Sequence, residues 1–245
     1  MSHKLSAVFF LSLLAVMLPL FGADEFKQPQ VTNTERIDFA PGGTIRINSS
    51  YGYLTVEGWD QPAVEITVTK SLRFGGSKSQ DQDQPRLESI RVITNHASPT
   101  ELTISTTRAS RHGAWPPHFS STTTNGVRVD YEIHVPRDSR LTIHHGTGFV
   151  FVSGVTSDIE ASVGRGDILL MLPDSGSYSI NAKTKLGAVS SDFEGSALSR
   201  YLVGQRFTRT LTQPSQQLYL RMGFGGITIK AVPPEGDARV LVGAK

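Results

Sequence analysis

Acidic residues recur in the C-terminal half of the chain at places where they could act as paired catalytic carboxylates. Glycoside cleavage needs two carboxyl groups about 5–10 Å apart, and neighbouring strands of a sheet lie about 4.8 Å apart. Asp167 and Asp192 would qualify if they stood in register on stacked strands. No Lys, Arg or His recurs beside the acids as a partner, so the pattern favours surface acids over catalysis. The candidates are Asp158, Glu160, Asp167, Asp192 and Glu194.

Histidines are the other residues that could do chemistry, as zinc ligands. Zinc needs three or four converging ligands. Adjacent His144 and His145 point to opposite faces of a strand, whereas His134 and His144 could approach each other across neighbouring strands. The spacing favours surface or loop histidines, and we predict no metal site. The histidines after residue 23 are His96, His112, His118, His134, His144 and His145.

Short motifs add little chemistry. The triplet at 165–167 spells Arg-Gly-Asp, a tripeptide that integrins recognise on exposed loops, but here its glycine stands at a turn between two strands. The glycine-rich run at 223–226 precedes a strand instead of a helix, which argues against a phosphate cradle. There is no nucleophile elbow, P-loop or dinucleotide fingerprint. The sequence therefore predicts no cofactor and no catalytic residue.

The composition excludes several classes of protein. The chain of 245 residues contains no cysteine, which rules out disulfides, thiolate metal sites and cysteine nucleophiles. Its 24 basic and 22 acidic residues leave a formal charge of +2, and Lys4 belongs to the N-terminal leader. The remaining chain is close to neutral and lacks the basic footprint of a nucleic-acid-binding protein.

The first 23 residues have the pattern of an export signal. A short basic start is followed by an apolar run from Leu5 to Phe21 and by the small residues Gly22 and Ala23. We predict a cleaved signal peptide at 1–23, with a retained N-terminal anchor as the alternative. No second apolar run follows, so no membrane span is predicted after signal removal, and the protein should be periplasmic or secreted.

Period-2 alternation of apolar and polar residues dominates the chain after residue 30 and predicts an all-β fold. We expect an N-terminal β-region at 24–140 with long loops at 74–86 and 110–125. A repeat region at 141–245 should continue it within one domain. The apolar spacing at 194–205 predicts a helix of one or two turns.

Five units share one template, in which an alternating run is followed by a glycine and a second alternating run. A glycine between short strands permits positive φ and therefore a sharp corner or a bulge. Each unit offers too few apolar side chains to bury them alone, so stacked units are expected. The units lie at 45–58, 141–154, 159–172, 180–193 and 218–231. The predicted turn glycines are Gly52, Gly148, Gly166, Gly187 and Gly226.

Near-constant spacing of these glycines favours a β-solenoid or β-roll of strand–glycine–strand repeats. A β-sandwich of hairpins is the alternative. On stacked strands, polar ladders would form the surface, with Thr142, Ser162, Lys183 and Arg221 as examples. Open ends of the stack could pair with a second copy, so self-association is possible.

Aromatic residues near the first and second units could mark a binding surface. Phe149 and Phe151 alternate with Val150 and Val152, so both faces of this strand are apolar. We therefore expect these aromatic residues to pack in the core, beneath the segment at 110–125. The aromatic residues concerned are Tyr51, Tyr53, Trp59, Trp115, Phe149 and Phe151.

The segments at 43–60 and 129–155, and the units that follow them, resemble the bacterial putative-adhesin family of β-strand-repeat proteins. The resemblance covers about 30–232 in outline and implies an extracytoplasmic β-repeat domain of unknown function. It brings no catalytic residues. The leading hypothesis is therefore a non-enzymatic, adhesin-like binding or scaffolding protein of the cell envelope, whose partner would be an envelope glycan or protein. The alternative is an envelope polysaccharide-acting enzyme built on a β-helix.

Overall fold

The computed structural model describes residues 30–72, 80–108, 126–200 and 204–233. These residues form thirteen strands and one short helix, which confirms the all-β class. The predicted signal segment at 1–23 and the segment at 110–125 lie outside the described residues. The elements in chain order are β1 (Gln30–Asp38), β2 (Thr44–Trp59), β3 (Ala63–Leu72), α1 (Gln80–Glu88), β4 (Ile90–Ser98), β5 (Glu101–Arg108), β6 (Val127–Pro136), β7 (Arg140–Ser153), β8 (Ile159–Pro173), β9 (Tyr178–Leu186), β10 (Val189–Ser191), β11 (Ser196–Arg200), β12 (Gly204–Arg209) and β13 (Gln216–Val232).

The five repeat units form the centre of the sheet as parallel, bent strands. Four of them are the long strands β2, β7, β8 and β13, and the remaining unit is split into β9 and β10. In β2, Ile45 and Ile47 are buried before the glycine and Leu54 and Val56 after it. The buried positions change from odd to even numbers across Gly52. Each strand therefore carries its apolar side into the same core on both sides of the bend.

The sheet register reproduces the alignment of the units. Ile45, Leu141, Ile159, Leu218 and Ile180, which begin the five units, lie side by side in one row across the strands. The eighth residue of each unit is a glycine with φ between 126° and 143°. We call this row the glycine corner, which consists of Gly52, Gly148, Gly166, Gly225 and Gly187.

The prediction of Gly226 as the fifth turn glycine is wrong by one residue. Gly225 pairs with Gly166 and has φ 130°, whereas Gly226 pairs with Asp167 and lies outside the positive-φ set. Two adjacent glycines made the spacing ambiguous. Counting eight residues from Leu218 resolves the ambiguity, since the row of unit starts fixes the register.

Close stacking at the corner explains why glycine is needed. A Cβ atom on Gly148 would lie 1.8 Å from the carbonyl oxygen of Gly52, and one on Gly166 equally close to that of Gly148. Any side chain would therefore collide with the backbone of the neighbouring strand. The positive φ also disfavours every L-residue with a side chain.

The strands do not stack in chain order. β13 pairs with β8 on one side and with β9 and β10 on the other, so the last unit lies between the third and the fourth. The antiparallel hairpin of β11 and β12 extends the sheet beyond β9. The observed architecture is thus a mixed sheet of bent strands, and the solenoid remains a prediction.

The helix predicted at 194–205 is wrong, because the described part of this segment forms β11 and the start of β12. β12 pairs with β9, and β11 pairs with β12. Hydrogen bonding to an existing sheet edge outweighs the helical preference of residues such as Ala197 and Leu198, since tertiary context overrides intrinsic propensity.

At the N-terminal end of the stack, the two arms of β2 acquire different neighbours. Its first arm pairs with β5, which forms a hairpin with β4, and its second arm pairs with β6. β3 and β1 continue antiparallel from β6. Thr106 on β5 and Tyr131 on β6 share a hydrogen bond between their hydroxyls. The two arms therefore enclose one continuous apolar core.

The loop predicted at 74–86 is partly wrong, because helix α1 begins at Gln80. Residues 73–79 lie outside the described residues. Within the helix, Arg86 pairs with Asp83 one turn earlier at 3.5 Å, and Gln84 bonds Glu88. Leu87 is buried. These local pairs and one apolar anchor stabilise a helix in a segment that composition alone marks as a loop.

The corner makes a testable distinction between two adjacent glycines. In Gly225→Ala, the new Cβ would lie 1.7 Å from the Gly166 carbonyl oxygen at φ 130°. We expect a loss of about 3 kcal/mol or more in the free energy of unfolding. In Gly226→Ala, the Cβ meets the carboxylate end of Asp167 at 3.0 Å and makes an ordinary contact with the Ala188 carbonyl oxygen at 3.9 Å, so the loss should be about 1 kcal/mol or less. Urea unfolding measures both, and equal losses would contradict the assignment of Gly225 to the corner.

Candidate functional site

Aromatic side chains gather on the outer side of the glycine corner, opposite the core. They line an open groove of about 740 Å³ whose floor includes Gly148 and Gly166, which carry no side chains. We call it the aromatic groove. It is lined by Tyr51, Tyr53, Thr55, Thr147, Gly148, Phe149, Gly166 and Asp167.

Tyr53 is the most exposed aromatic residue of the groove and is held from two sides. Its side chain is 52% exposed, and its ring meets that of Phe149 edge-on at 6.2 Å between centroids. The Arg128 guanidinium lies 4.0 Å from the centroid of the Tyr53 ring. These contacts orient the ring while leaving much of it open to solvent.

Asp130 connects the backbone and the cation around Tyr53. Its Oδ1 accepts hydrogen bonds from the Tyr53 backbone N–H at 2.7 Å and from Nε of Arg128 at 2.8 Å. The hydrogen bond from Asp130 also raises the pKa of Arg128. Tyr53 therefore stands on a preorganised, charge-assisted support.

The prediction that these aromatic residues pack in the core is wrong for the described ones. Phe149 and Phe151 are only partly buried, while Val150 and Val152 fill the core. Both faces of this strand are apolar, but only the valine face turns inward. Trp115 and the segment at 110–125, predicted to cover this face, lie outside the described residues.

Trp59 is partly buried at the end of β2, away from the groove. Its Nε1–H donates to the Ala63 carbonyl at 2.8 Å, and its ring stacks on His134 with 5.2 Å between centroids. The Arg36 guanidinium lies 5.3 Å from its ring centroid. These contacts give Trp59 a structural role in joining β2, β3 and β6.

The structure uses three of the five candidate acids to hold β13. Each of these acids accepts a hydrogen bond from a backbone N–H of β13. The Gln217 N–H donates to Asp158, the Gly226 N–H to Asp167 and the Ala231 N–H to Asp192. Asp192 also pairs with Lys230 at 3.2 Å. The two remaining candidates, Glu160 and Glu194, are exposed.

Asp167 and Asp192 do not stand in register. Both acids bond to β13, which lies between them. Asp167 accepts from the Gly226 N–H, whereas Asp192 accepts from Lys230, four residues further along β13, and from the N–H of Ala231. Four residues correspond to about 13 Å along a strand. The pair predicted as a possible catalytic dyad is therefore not brought together.

The Arg-Gly-Asp triplet lies within β8 at the corner and not on a projecting loop. Arg165 lies against the Phe224 ring, 5.6 Å from its centroid, and Asp167 bonds the Gly226 N–H at 2.8 Å. Its acidic side chain is therefore engaged in joining two central strands.

The adjacent histidines point to opposite faces, as predicted. His144 is exposed, whereas His145 is 4% exposed and bridges two strands at the corner. Nδ1 of His145 lies 2.7 Å from the Ser49 hydroxyl, and Nε2 lies 3.1 Å from the Gly52 carbonyl oxygen. The carbonyl can only accept, so Nε2 carries the proton and Nδ1 accepts from Ser49.

The histidines do not converge on a metal site in the part of the chain that the structure describes. There, no three residues among His, Cys, Asp and Glu are placed to hold a metal ion. His134 pairs across the strands with Glu57 on the second arm of β2, and His144 pairs with Asn48 on the first arm. His112 and His118 lie outside the described residues.

The predicted polar ladder is partly formed. Ser162, Arg221 and Lys183 lie in one cross-strand row together with His144, and all are at least partly exposed. Thr142 lies in a neighbouring row opposite Glu160. The β13 and β9 end of this row is basic, although the whole chain has nearly equal numbers of basic and acidic residues.

Comparison with known proteins gives structural neighbours only. No family model and no curated protein matches the chain. A putative cell adhesion protein from Clostridium sporogenes matches with 11% identity over 84% of this chain and all of that chain, at a TM-score of 0.48. A putative adhesin from Bacteroides fragilis matches with 10% identity over 82% of this chain and 97% of that one, at a TM-score of 0.26.

A third solved structure, a putative adhesin from Parabacteroides distasonis, matches with 14% identity over 82% of this chain and 97% of that one, at a TM-score of 0.20. The structural neighbours are thus bacterial proteins named as putative adhesins, as the sequence resemblance implies. No helix in the described ranges is long and apolar enough to cross a membrane.

Burial of His145 makes stability depend on pH in a predictable direction. Burial lowers the pKa of His145 from 6.5. As the pH falls below about 6.5, the unfolded chain binds a proton that the native histidine does not, so the free energy of unfolding decreases. The contribution is fully present above that pH, and the slope reaches at most about 1.4 kcal/mol per pH unit.

His145→Gln should therefore flatten the fall in stability between about pH 7.5 and about pH 5.5. His144→Gln removes the exposed neighbour and should keep the slope of the native protein. Urea unfolding at several pH values measures this difference. Identical slopes for the native protein and His145→Gln would disprove the role of His145.

Proposed function

We propose that this chain is an exported, non-enzymatic binding protein of the bacterial cell envelope, and that it holds a glycan in the aromatic groove. The observation that carries the proposal is the exposed, supported ring of Tyr53 beside Phe149 and Tyr51. Aromatic residues are usually buried, so a cluster of them on the outer side of a sheet favours recognition.

The chemistry of the groove suits a sugar. A pyranose presents an apolar face of C–H groups and a rim of hydroxyls. The Tyr53 and Phe149 rings offer apolar surfaces to the face, while the side chains of Thr55, Thr147 and Asp167 offer polar atoms to the rim. The glycine floor lets a ring approach the backbone closely, and the groove volume falls in the range of small-molecule sites.

A binding role also agrees with the use of the carboxylates. A glycosidase needs one acid that is free to give a proton and a second one opposite it. Asp167 is bonded to a backbone N–H, and Asp192 lies beyond the neighbouring strand. The carboxylate pair on which the enzyme alternative rests, Asp167 and Asp192, is therefore not formed.

Scaffolding by self-association would use the sheet edges instead of the groove. Among the described strands, β1, β4 and β11 each pair with one neighbour only and so lie at sheet edges, and β1 is exposed. β1 carries Glu35 and Arg36, which are charges that discourage edge-to-edge pairing. Binding through the groove is therefore the proposal that we favour over assembly.

A glycan array and pull-down with residues 24–245 test the proposal. We expect each of two variants, Tyr53→Ala and Phe149→Ala, to weaken binding of the retained glycan by about 1 kcal/mol, which is a roughly fivefold higher Kd. Ile93→Ala is the matched control, since it removes a 47% exposed apolar side chain from β4. This control should leave binding unchanged, and thermal unfolding should show that all three variants fold.

The same material separates binding from catalysis. Incubation with the retained polysaccharide should release no reducing ends. Release that disappears in Asp167→Asn would contradict the non-enzymatic proposal. Retention of no glycan, or equal retention by Tyr53→Ala and the native protein, would contradict the role of the groove.

A further inference from the structure

Three adjacent strands place a cation in the same cross-strand row. Arg206 on β12 pairs with Lys183 on β9, and Lys183 pairs with Arg221 on β13. Lys185 follows two residues later on the same face of β9. We call these four residues the basic row. Neighbouring strands lie about 4.8 Å apart, so the charges follow each other at that interval.

The cations of the basic row are open to solvent. Lys183, Lys185 and Arg206 are exposed, and none of them forms an ion pair with an acid among the described residues. Arg221 is held in place by the carbonyl oxygens of Asn181 and Leu220, at 2.9 and 2.8 Å from its Nη1. One fixed guanidinium and three free cations therefore share this face.

A second groove lies beside these cations. It has a volume of about 240 Å³, and Gly164 and Gly223 leave part of its wall without side chains. Ser162 adds a hydroxyl. On the same face of β8, Glu160 lies one outward position before Ser162 and pairs across the strands with Tyr219 instead of a cation.

The arrangement costs stability in the free protein. Like charges directly opposite each other on neighbouring strands repel, and none of these exposed cations is needed to fill the core. An anion that bridges adjacent cations would remove the repulsion and gain charge-assisted hydrogen bonds. The uncompensated charge therefore points to an anionic ligand.

The basic row and the aromatic groove belong to one continuous strip. Between them, Arg165 and the 51% exposed ring of Phe224 lie in contact on the outer side of the corner. Leu186 lies beside Phe224 in the register and is also exposed. Arg221 and Lys183 each lie four residues before the corner glycine of their own unit, about 13 Å along the strand. A chain that crosses the corner obliquely would therefore meet aromatic rings at β2 and β7 and cations at β13, β9 and β12.

We propose that the basic row binds the acidic groups of an anionic polysaccharide whose sugar rings lie in the aromatic groove. This inference rests on the proposed function and specifies its ligand class. The strand interval of about 4.8 Å is close to the advance of one sugar in an extended chain, so repeated carboxylates or sulfates match successive cations. A nucleic acid is disfavoured, because its affinity needs many phosphate contacts and the whole chain has only 24 basic against 22 acidic residues.

The test compares polygalacturonate with its methyl ester, which has the same sugar without the charge, and adds heparin as a sulfated probe. The native protein should bind at least one of the two acidic polymers at least tenfold more tightly than the methyl ester, and added salt should weaken that binding. Lys183→Gln/Lys185→Gln should lower the affinity for the acidic polymer roughly fivefold to tenfold and leave the methyl ester unaffected.

Two control variants keep the result specific. Lys183→Arg/Lys185→Arg retains the charges and should retain binding. Lys230→Gln removes one charge from the other arm, where Lys230 pairs with Asp192, and should have no effect. Urea unfolding of each variant shows that binding losses do not come from unfolding.

The outcomes separate this inference from the proposed function. Equal binding of polygalacturonate and its methyl ester, with loss of both in Tyr53→Ala, would keep the groove and overturn the role of the basic row. Loss of acidic-polymer binding in the lysine variant but not in Tyr53→Ala would keep the basic row and overturn the groove. Retention on phosphatidylglycerol vesicles without retention on either acidic polymer would overturn the inference in favour of a lipid surface.

Discussion

The constraint on which the structure depends is the close approach of five strands at the glycine corner. The carbonyl oxygens of each strand come so near the glycine of the neighbouring strand that a Cβ atom has no room there. The φ of the corner glycines also lies in a region open mainly to glycine. Every strand therefore has to bend at the same place. Buried side chains satisfy carbonyl oxygens at this bend: His145 bonds Gly52, and Thr184 bonds Gly187. The corner thus sets the register of the whole stack.

One consequence of the bend is a division between an apolar inside and a functional outside. The change of parity at the glycine turns the aliphatic residues of both arms inward. The outer side of the bend then presents Tyr53, Phe149 and Phe224 around a strip that has no side chains of its own. Tyr53 and Phe149 lie opposite each other in the row just after the corner, and Phe224 lies opposite Arg165 in the row just before it.

The position of β13 accounts for the acids. Because the last unit enters between the third and the fourth, the acids of β8 and of the segment after β10 come to lie beside its backbone. Asp167 and Asp192 each accept a hydrogen bond from it. Residues with the right type for catalysis thus become anchors of a strand. The same insertion brings Arg221 next to Lys183 and creates the basic row.

The sequence alone determined the all-β class, the five units and four of the five corner glycines, because alternation and glycine spacing are local patterns. It also placed His144 and His145 on opposite faces. Only the tertiary structure decided the stacking order, the strands at 196–200 and 204–209 and the outward turn of the Phe149 face. Those features depend on which sheet edge is free and which face meets the core. Pairing between strands that are distant in the chain has no local sequence pattern from which it could be predicted.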